Sequence, residues 1–165
     1  METSGTYETS LTRRVQSEAQ TLALGAALGR ALGPGLLVFL SGVLGAGKTT
    51  FARGVLRGLG YAGKVKSPSF TLVELYELSS LYLYHFDFYR LDNPGSWLDA
   101  GLREYFGSDA VCLVEWPEKA AGTLPAPDIE IAIALAGEAR DVRLVAHSEQ
   151  GRQCLRALAA ATNAP

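Results

Sequence analysis

The segment LLVFLSGVLGAGKTT, residues 36–50, constrains the fold more than any other part of this chain. Residues 36–41 make an apolar run of strand length, and a strand apolar on both faces belongs to a sheet covered on both sides. Gly42, four residues, then Gly47-Lys48-Thr49 is the phosphate-loop spacing, with a strand pattern before it and a helix pattern after it. Glycines let the backbone curl until successive amides point at one anion, and the positive end of the following helix adds to their pull. Gly42, Leu44, Gly45, Ala46, Gly47, Lys48, Thr49 and Thr50 are therefore the expected nucleotide-binding loop. Lys48 is placed for the β- and γ-phosphates, the Thr49 hydroxyl for magnesium and the Thr50 hydroxyl for the α-phosphate. A glycine turn before an ordinary helix is the competing reading; motif and context agree against it.

The flanking segments supply the layers such a loop needs. Ser17-Glu18-Ala19-Gln20 reads as a capping box, in which the serine hydroxyl takes the Gln20 amide and the glutamine side chain reaches back. Leu22, Leu24, Leu28 and Leu32 continue as a helical stripe that Gly33-Pro34-Gly35 ends. A second helix is expected from Lys48 to Leu59, stopped by Gly60. TLVELYEL (71–78) and LYLYHFDFYR (81–90) are rich in aromatic and β-favouring residues and meet at Ser79-Ser80, which is a hairpin pattern. Asp92-Asn93-Pro94-Gly95 is a turn by its chemistry, and SWLDAGLREYF (96–106) reads as a helix capped by Ser96. A buried strand at 110–115 follows, then a second hairpin, DIEIAIALAG and ARDVRLVAHS, around Gly137-Glu138.

These readings predict an α/β chain with the three-layer fold of P-loop nucleotide hydrolases. Its central sheet is mainly parallel, extended by antiparallel hairpins, with helices on both faces. One domain is expected over 1–165, with 1–16 a flexible lead-in and 148–165 a terminal helix and frayed tail.

At 165 residues, 48% apolar and 19% charged, the chain is long enough to bury a core without staples. A formal net charge of −2 argues against a broad basic face for nucleic acid. Cys112 and Cys154 lack a CxxC or Cys/His neighbour and read as buried reduced thiols. No apolar run approaches the roughly 18 residues of a membrane span. The polar start METSGTYETSLTRR lacks the order of a signal peptide, so a cytoplasmic protein is expected.

Hydrolysis asks for more than a phosphate loop: a carboxylate for the metal shell and a group that orients water. Glu115 ends the second apolar strand, at the edge where a parallel sheet presents its ligand site. Asp87 lies among large rings in YHFDFYR. A solvent-facing strand end is the bland reading of Glu115, and an exposed strand position that of Asp87; composition does not separate these from a catalytic role. His85, between aromatics, reads as a packed core residue, and Arg90 as a partner for Asp87 or for another protein.

GxxGAGKTT, SPSFTLV (67–73), YHFDFYRL (84–91) and LVEWPEK (113–119) occur in this order, and together they resemble the bacterial TsaE (YjeE) family. The similarity runs from about Glu18 to Ala146, and HFDxYR with EWP is far more specific than a phosphate loop. The resemblance implies the ATPase component of the machinery that makes N6-threonylcarbamoyladenosine at position 37 of tRNAs reading ANN codons. It implies Thr49 and Glu115 as magnesium ligands and Asp87 as the other essential acid, with Lys48, Asp87 and Glu115 as the catalytic set. Ser67 and Ser69 match a mobile loop near the γ-phosphate, and Ser17 and Arg140 match the purine side of the pocket, where an arginine can stack on adenine. Trp116-Pro117 is expected to fix the strand exit, since Pro117 cannot continue a ladder. The implied partners are a TsaB–TsaD-type complex, with TsaD performing the carbamoyl transfer, and tRNA only through that complex. Two positions depart from the family pattern: Val43 stands where members often carry an acid, and Ser69 stands where they usually carry threonine.

Three functional readings follow. The first is a magnesium-dependent ATPase, slow alone because no arginine finger is evident in the chain, and stimulated by partners. The second is a small-molecule or nucleoside kinase, which would need an arginine-rich lid that the sequence does not offer. The third is a non-catalytic nucleotide sensor, which the presence of Lys48, Thr49 and both acids disfavours.

Overall fold

The computed structural model describes residues 9–66, 68, 71–106 and 109–162. The sites Ser67 and Ser69, and residues 1–8 of the expected lead-in, lie outside the described residues.

Seven strands form one sheet in the order β1-β7-β6-β2-β5-β4-β3. They are β1 (Ser10–Val15), β2 (Leu37–Gly42), β3 (Val73–Glu77), β4 (Tyr82–Asp87), β5 (Ala110–Glu115), β6 (Ile129–Ala136) and β7 (Ala139–Ala146). β2 pairs in parallel with both β5 and β6, and β4 in parallel with β5. The hairpins β3–β4 and β6–β7 and the pair β1–β7 are antiparallel. A parallel centre with antiparallel wings is what the apolar and alternating runs predicted.

Residue parity divides the sheet into two cores. Val38, Leu40, Leu83, Val111, Leu113, Ile131 and Leu144 face one side, where α1 (Glu18–Ala31), α2 (Lys48–Gly58) and α4 (Glu149–Thr162) bury Leu28, Phe51, Val55, Leu155 and Leu158. Leu37, Phe86, Cys112 and Val114 face the other side, where Phe88, Trp97 and Leu102 complete an aromatic-rich cluster. Cys112 and Cys154 are both free and buried, as expected.

Two expectations are corrected. The lead-in is not loose where it is described: Ser10–Val15 is the edge strand β1, in register with β7 from Ser10↔Val145 to Val15↔Arg140. Its polar look comes from having one covered face and one open edge. Val15 turns inward, while Arg14 reaches out to Asp141 in a two-pronged ion pair at 2.8 and 2.9 Å. The helix expected over 96–106 is instead a single turn, α3 (Ser96–Asp99), followed by a 3-10 turn at Arg103–Tyr105. Gly101 adopts φ +75°, a left-handed conformation that stops a helix. The second face of the sheet is therefore covered by short turns and large rings.

The helix caps follow the sequence closely. Ser17 Oγ accepts the Gln20 amide at 3.1 Å, and Gln20 Oε1 accepts the amide of Gln16 at 2.7 Å, one residue before the cap. What the leucine stripe did not reveal is how α1 meets α2. Gly25 and Gly29 of α1 face Gly54 and Gly58 of α2 so closely that a methyl on any of the four would overlap a backbone carbonyl oxygen of the other helix. The two helices run side by side in the same direction, Gly25 beside Gly54 and Gly29 beside the turn that holds Gly58.

This contact decides the sign of a simple substitution. Gly→Ala in an exposed helix gains about 1 kcal/mol of propensity, but a methyl driven into a packed backbone costs about 1–3 kcal/mol or more. On Gly54 the methyl meets the Leu22 carbonyl, which can yield only if the helices part. We expect Gly54→Ala to lower the melting temperature by about 4–8 °C, as a loss of about 2 kcal/mol does in a chain of this size. Calorimetry or thermal circular dichroism reads this; an unchanged or raised melting temperature would mean that the helices are not in contact there.

Candidate nucleotide-binding site

The strand β2 delivers the chain into the loop 42–47, and α2 begins at Lys48. Gly47, the residue that caps α2, has φ +107°, a conformation only glycine adopts without strain. The loop and the first turn of α2 border a cavity of about 610 Å³, within the size range of small-ligand pockets (about 300–1,000 Å³). Leu44, Gly45, Ala46, Gly47, Lys48, Thr49 and Thr50 line it. So do Ser17, Asp87, Glu115 and Arg140, which come from four other parts of the chain. Gly42 does not line the cavity; its carbonyl accepts a hydrogen bond from the Lys48 ammonium, as Val43 O does at 3.0 Å.

Lys48 is only 6% exposed and lies 4.5 Å below the centre of the Trp116 ring. Burial pushes its ammonium below the usual lysine value, while the charges of Glu115, Asp87 and Glu118 act in the opposite sense. A cation held among apolar and carbonyl groups beside an anion-shaped loop is well suited to phosphate.

The two acids are neither solvent-facing nor exposed, which overturns the bland reading of each: Glu115 is 3% and Asp87 6% exposed. The sheet order explains why they meet. β5 lies between β2 and β4, and its last residue, Glu115, pairs in register with Leu40 on one side and Asp87 on the other. Both carboxylates therefore stand at the carboxyl edge of adjacent parallel strands, beside the loop that leaves β2. Asp87 Oδ1 accepts the Tyr89 amide at 3.0 Å. Glu115 Oε2 is joined to His85 Nε2 at 2.7 Å, inside the core.

The exit of β5 is strained. Trp116 has φ 58° and ψ 48°, and Pro117 opens a 3-10 turn, Pro117–Ala120, directly after it. A left-handed tryptophan costs about 1–3 kcal/mol and persists only where its surroundings hold it. Here the ring packs on Tyr89 at 4.9 Å and over Lys48. The expectation that Trp116-Pro117 ends the strand and sets its exit matches this geometry.

At the far end of the cavity, Arg140 is half-buried beside the β6–β7 turn and donates to Ala139 O at 2.9 Å and Glu138 O at 3.3 Å. The Thr50 hydroxyl donates to Glu18 at 3.3 Å. Arg90 is exposed at the mouth. Sequence reasoning missed Tyr89, Glu18 and Glu138 as lining groups, and for His85 it ranked packing above a functional role. The alternation in YHFDFYR carried the signal for His85, because residues two apart on a strand share a face.

The donor set fits magnesium. Thr49 offers a hydroxyl and Glu115 and Asp87 offer carboxylates, all hard oxygens lining one cavity. Magnesium is usually held by one or two carboxylates together with substrate phosphates and water. Among the described residues no group of three or more His, Cys, Asp or Glu side chains forms a ready-made cage. Thr49 and Glu115 would hold the ion alongside phosphate oxygens.

Ser17 both caps α1 and lines the cavity, and substitution can separate the two. Ser17→Ala removes the α1 cap, a loss of about 1 kcal/mol, and should lower the melting temperature by about 2–4 °C. Ser17→Asp keeps a capping oxygen and should hold the melting temperature, but it adds a negative charge to the cavity wall and should weaken nucleotide binding several-fold. Thermal melts and fluorescent-nucleotide titration measure the two effects; equal ATP affinity in Ser17→Asp would place Ser17 away from the ligand.

Residues 15–143 match the family model described as threonylcarbamoyl adenosine biosynthesis protein TsaE. The tRNA threonylcarbamoyladenosine biosynthesis protein TsaE of Haemophilus influenzae is 46% identical over 122 residues, 74% of this chain and 77% of that protein. The protein of the same name from Treponema pallidum is 39% identical over 118 residues, 72% of this chain and 87% of its own. The crystal structure of YdiB from Bacillus subtilis superposes with a TM-score of 0.82 at 33% identity, covering 95% of this chain and 99% of that one. With the family's motifs, fold and length of match all present, this chain belongs to the TsaE family of threonylcarbamoyl adenosine biosynthesis proteins.

Proposed function

We propose that this chain is a magnesium-dependent ATPase of the cytoplasm. In this reading it supports a TsaB–TsaD-type complex in forming N6-threonylcarbamoyladenosine at position 37 of ANN-decoding tRNAs, and it touches tRNA only through that complex. One observation carries the reading: Lys48, Thr49, Glu115 and Asp87 line a single cavity at the carboxyl edge of the parallel strands. Family membership supports the pathway.

In this reading each group has a distinct task. The loop amides and the start of α2 cradle the phosphates, and Lys48 neutralises charge on the β- and γ-groups. Bound magnesium would draw charge from the phosphate oxygens. Thr49 and Glu115 would hold the ion. Asp87, fixed by the Tyr89 amide, is the carboxylate beside Glu115 that orients the attacking water. Arg140 and Ser17 flank the base. The Trp116 ring over Lys48 keeps bulk water from the ammonium and so strengthens its attraction for phosphate.

Slow turnover alone is part of the proposal. Arg90 is exposed at the cavity mouth, and Thr49 is exposed as well, so the phosphate end of the site is open to a partner that could complete it. The kinase alternative gains no support: among the described residues the cavity walls carry two arginines, Arg90 and Arg140, and no arginine-rich lid.

The test is ATP turnover by the chain alone and with the TsaB–TsaD pair of its own source plus tRNA. Turnover should rise with the partners. Glu115→Gln and Asp87→Ala should each lower stimulated kcat by about 10²–10³-fold, the cost of removing one charge-stabilising group from an active site. Turnover indifferent to partners and unchanged in Glu115→Gln would overturn the proposal; stimulation by a small alcohol or nucleoside would favour a kinase.

A further inference from the structure

Among the described residues, the buried side-chain polar atom left without a hydrogen-bond partner belongs to the histidine on β4. His85 is fully buried, on the face of the sheet that turns toward α1 and α2. Leu83, two residues before it on β4, and Leu113, opposite it on β5, are apolar, while Glu74 is its register partner on β3 and Asp87 follows two residues on. A leucine would fill such a position without desolvating a polar ring. The histidine instead leaves Nδ1 buried and without a hydrogen-bond partner, which costs the desolvation of that atom with no bond in return. What the ring gains is a single contact, Nε2 to Glu115 Oε2 at 2.7 Å.

That pattern selects the tautomer. A hydrogen on Nδ1 would have no acceptor, and a carboxylate accepts but does not donate, so the hydrogen sits on Nε2 and is donated to Glu115. One oxygen of the carboxylate is thereby fixed from the core side. Lone pairs remain on both oxygens for a ligand in the cavity that Glu115 lines. Histidine is stiff and has no slack in χ beyond two torsions, so its bond sets the position of the carboxylate, with Asp87 alongside in register.

We propose that His85 is a positioning residue for the metal site: it orients Glu115 from beneath and raises the affinity of the nucleotide-loaded site for magnesium. This inference rests on the ATPase reading above, because it takes Glu115 as a magnesium ligand. Groups that hold a metal-binding side chain in place typically contribute about 10–100-fold in metal affinity.

Two substitutions with the same amide chemistry separate positioning from packing. In His85→Gln the side-chain nitrogen stands as many bonds from Cβ as Nε2 does, so it can donate to Glu115. In His85→Asn it stands one atom short. Binding of the non-hydrolysable analogue AMPPNP is measured by calorimetry over a series of magnesium concentrations, with thermal melts as the check on folding. The magnesium concentration giving half of the metal-dependent gain in affinity should rise about 10–100-fold in His85→Asn and stay within about three-fold of wild type in His85→Gln. Affinity for AMPPNP in EDTA should be unchanged in both. If His85→Asn does not fold, His85→Leu is read in the same way, with the same expected rise. Equal shifts in Gln and Asn variants, no shift in either, or a loss of metal-free binding would each overturn the positioning role. If wild type itself binds AMPPNP without regard to magnesium, it is the ATPase reading that falls. If wild type depends on magnesium and the variants do not differ, only the role of His85 falls.

Discussion

The glycine seam between α1 and α2 is the constraint on which the rest of the molecule depends. Four glycines, Gly25, Gly29, Gly54 and Gly58, bring two helix backbones to a distance that no side chain allows. Because the helices run in the same direction, their amino ends come together. The start of α2 is the end of the phosphate loop, and the start of α1 carries Ser17, Glu18 and Thr21. Thr21 is buried against the loop, its hydroxyl donating to Ser17 O at 3.2 Å, and its methyl lies close to Gly47. One wall of the nucleotide cavity is thus positioned by backbone contact several turns away, where rotamer changes cannot relax it.

The opposite wall is positioned by the sheet. Parallel pairing of β2, β5 and β4 aligns their carboxyl ends, and register places Glu115 beside Asp87. All six residues of β5 are buried, so this strand cannot slip by one residue without turning its leucine and valines to the wrong cores and moving the acid to the aromatic side. The same packing that stabilises the centre of the sheet therefore fixes the chemistry at its edge. The helices determine where the loop sits, and the strands determine where the carboxylates sit relative to it.

Much of this was legible from local pattern. The loop, the helix behind it, the capping serine and the two hairpins each declare themselves within about ten residues, since turn chemistry, periodicity and the phosphate-loop spacing are short-range signals, whereas the two acids stood out only through the family's motifs. What was not legible depends on partners distant in sequence. β1 looked like a polar tail because an edge strand has only one covered face. The helix over 96–106 failed at Gly101, whose left-handed φ a pattern of apolar spacing does not register. The Gly25/Gly29 and Gly54/Gly58 repeats were visible, but nothing within either helix says that it meets the other. His85 and Glu115 are 30 residues apart, and their bond exists only because β4 and β5 became neighbours.

The strained tryptophan fits the same logic. A ring stands close after each acid: Tyr89 two residues beyond Asp87, and Trp116 directly after Glu115. These two rings pack on each other at 4.9 Å, Lys48 lies under one and Lys119 over the other at 5.8 Å. The two strand exits are thereby braced to each other and to the phosphate-loop lysine by contacts that use faces of rings. A ring brace holds the exits without drawing on a carboxylate oxygen. The cost of a left-handed Trp116, about 1–3 kcal/mol, is comparable with what a partly desolvated cation–π contact and an aromatic pair return together. The strain at the end of β5 is therefore sustained by the contacts that place the lysine and the acids around one cavity.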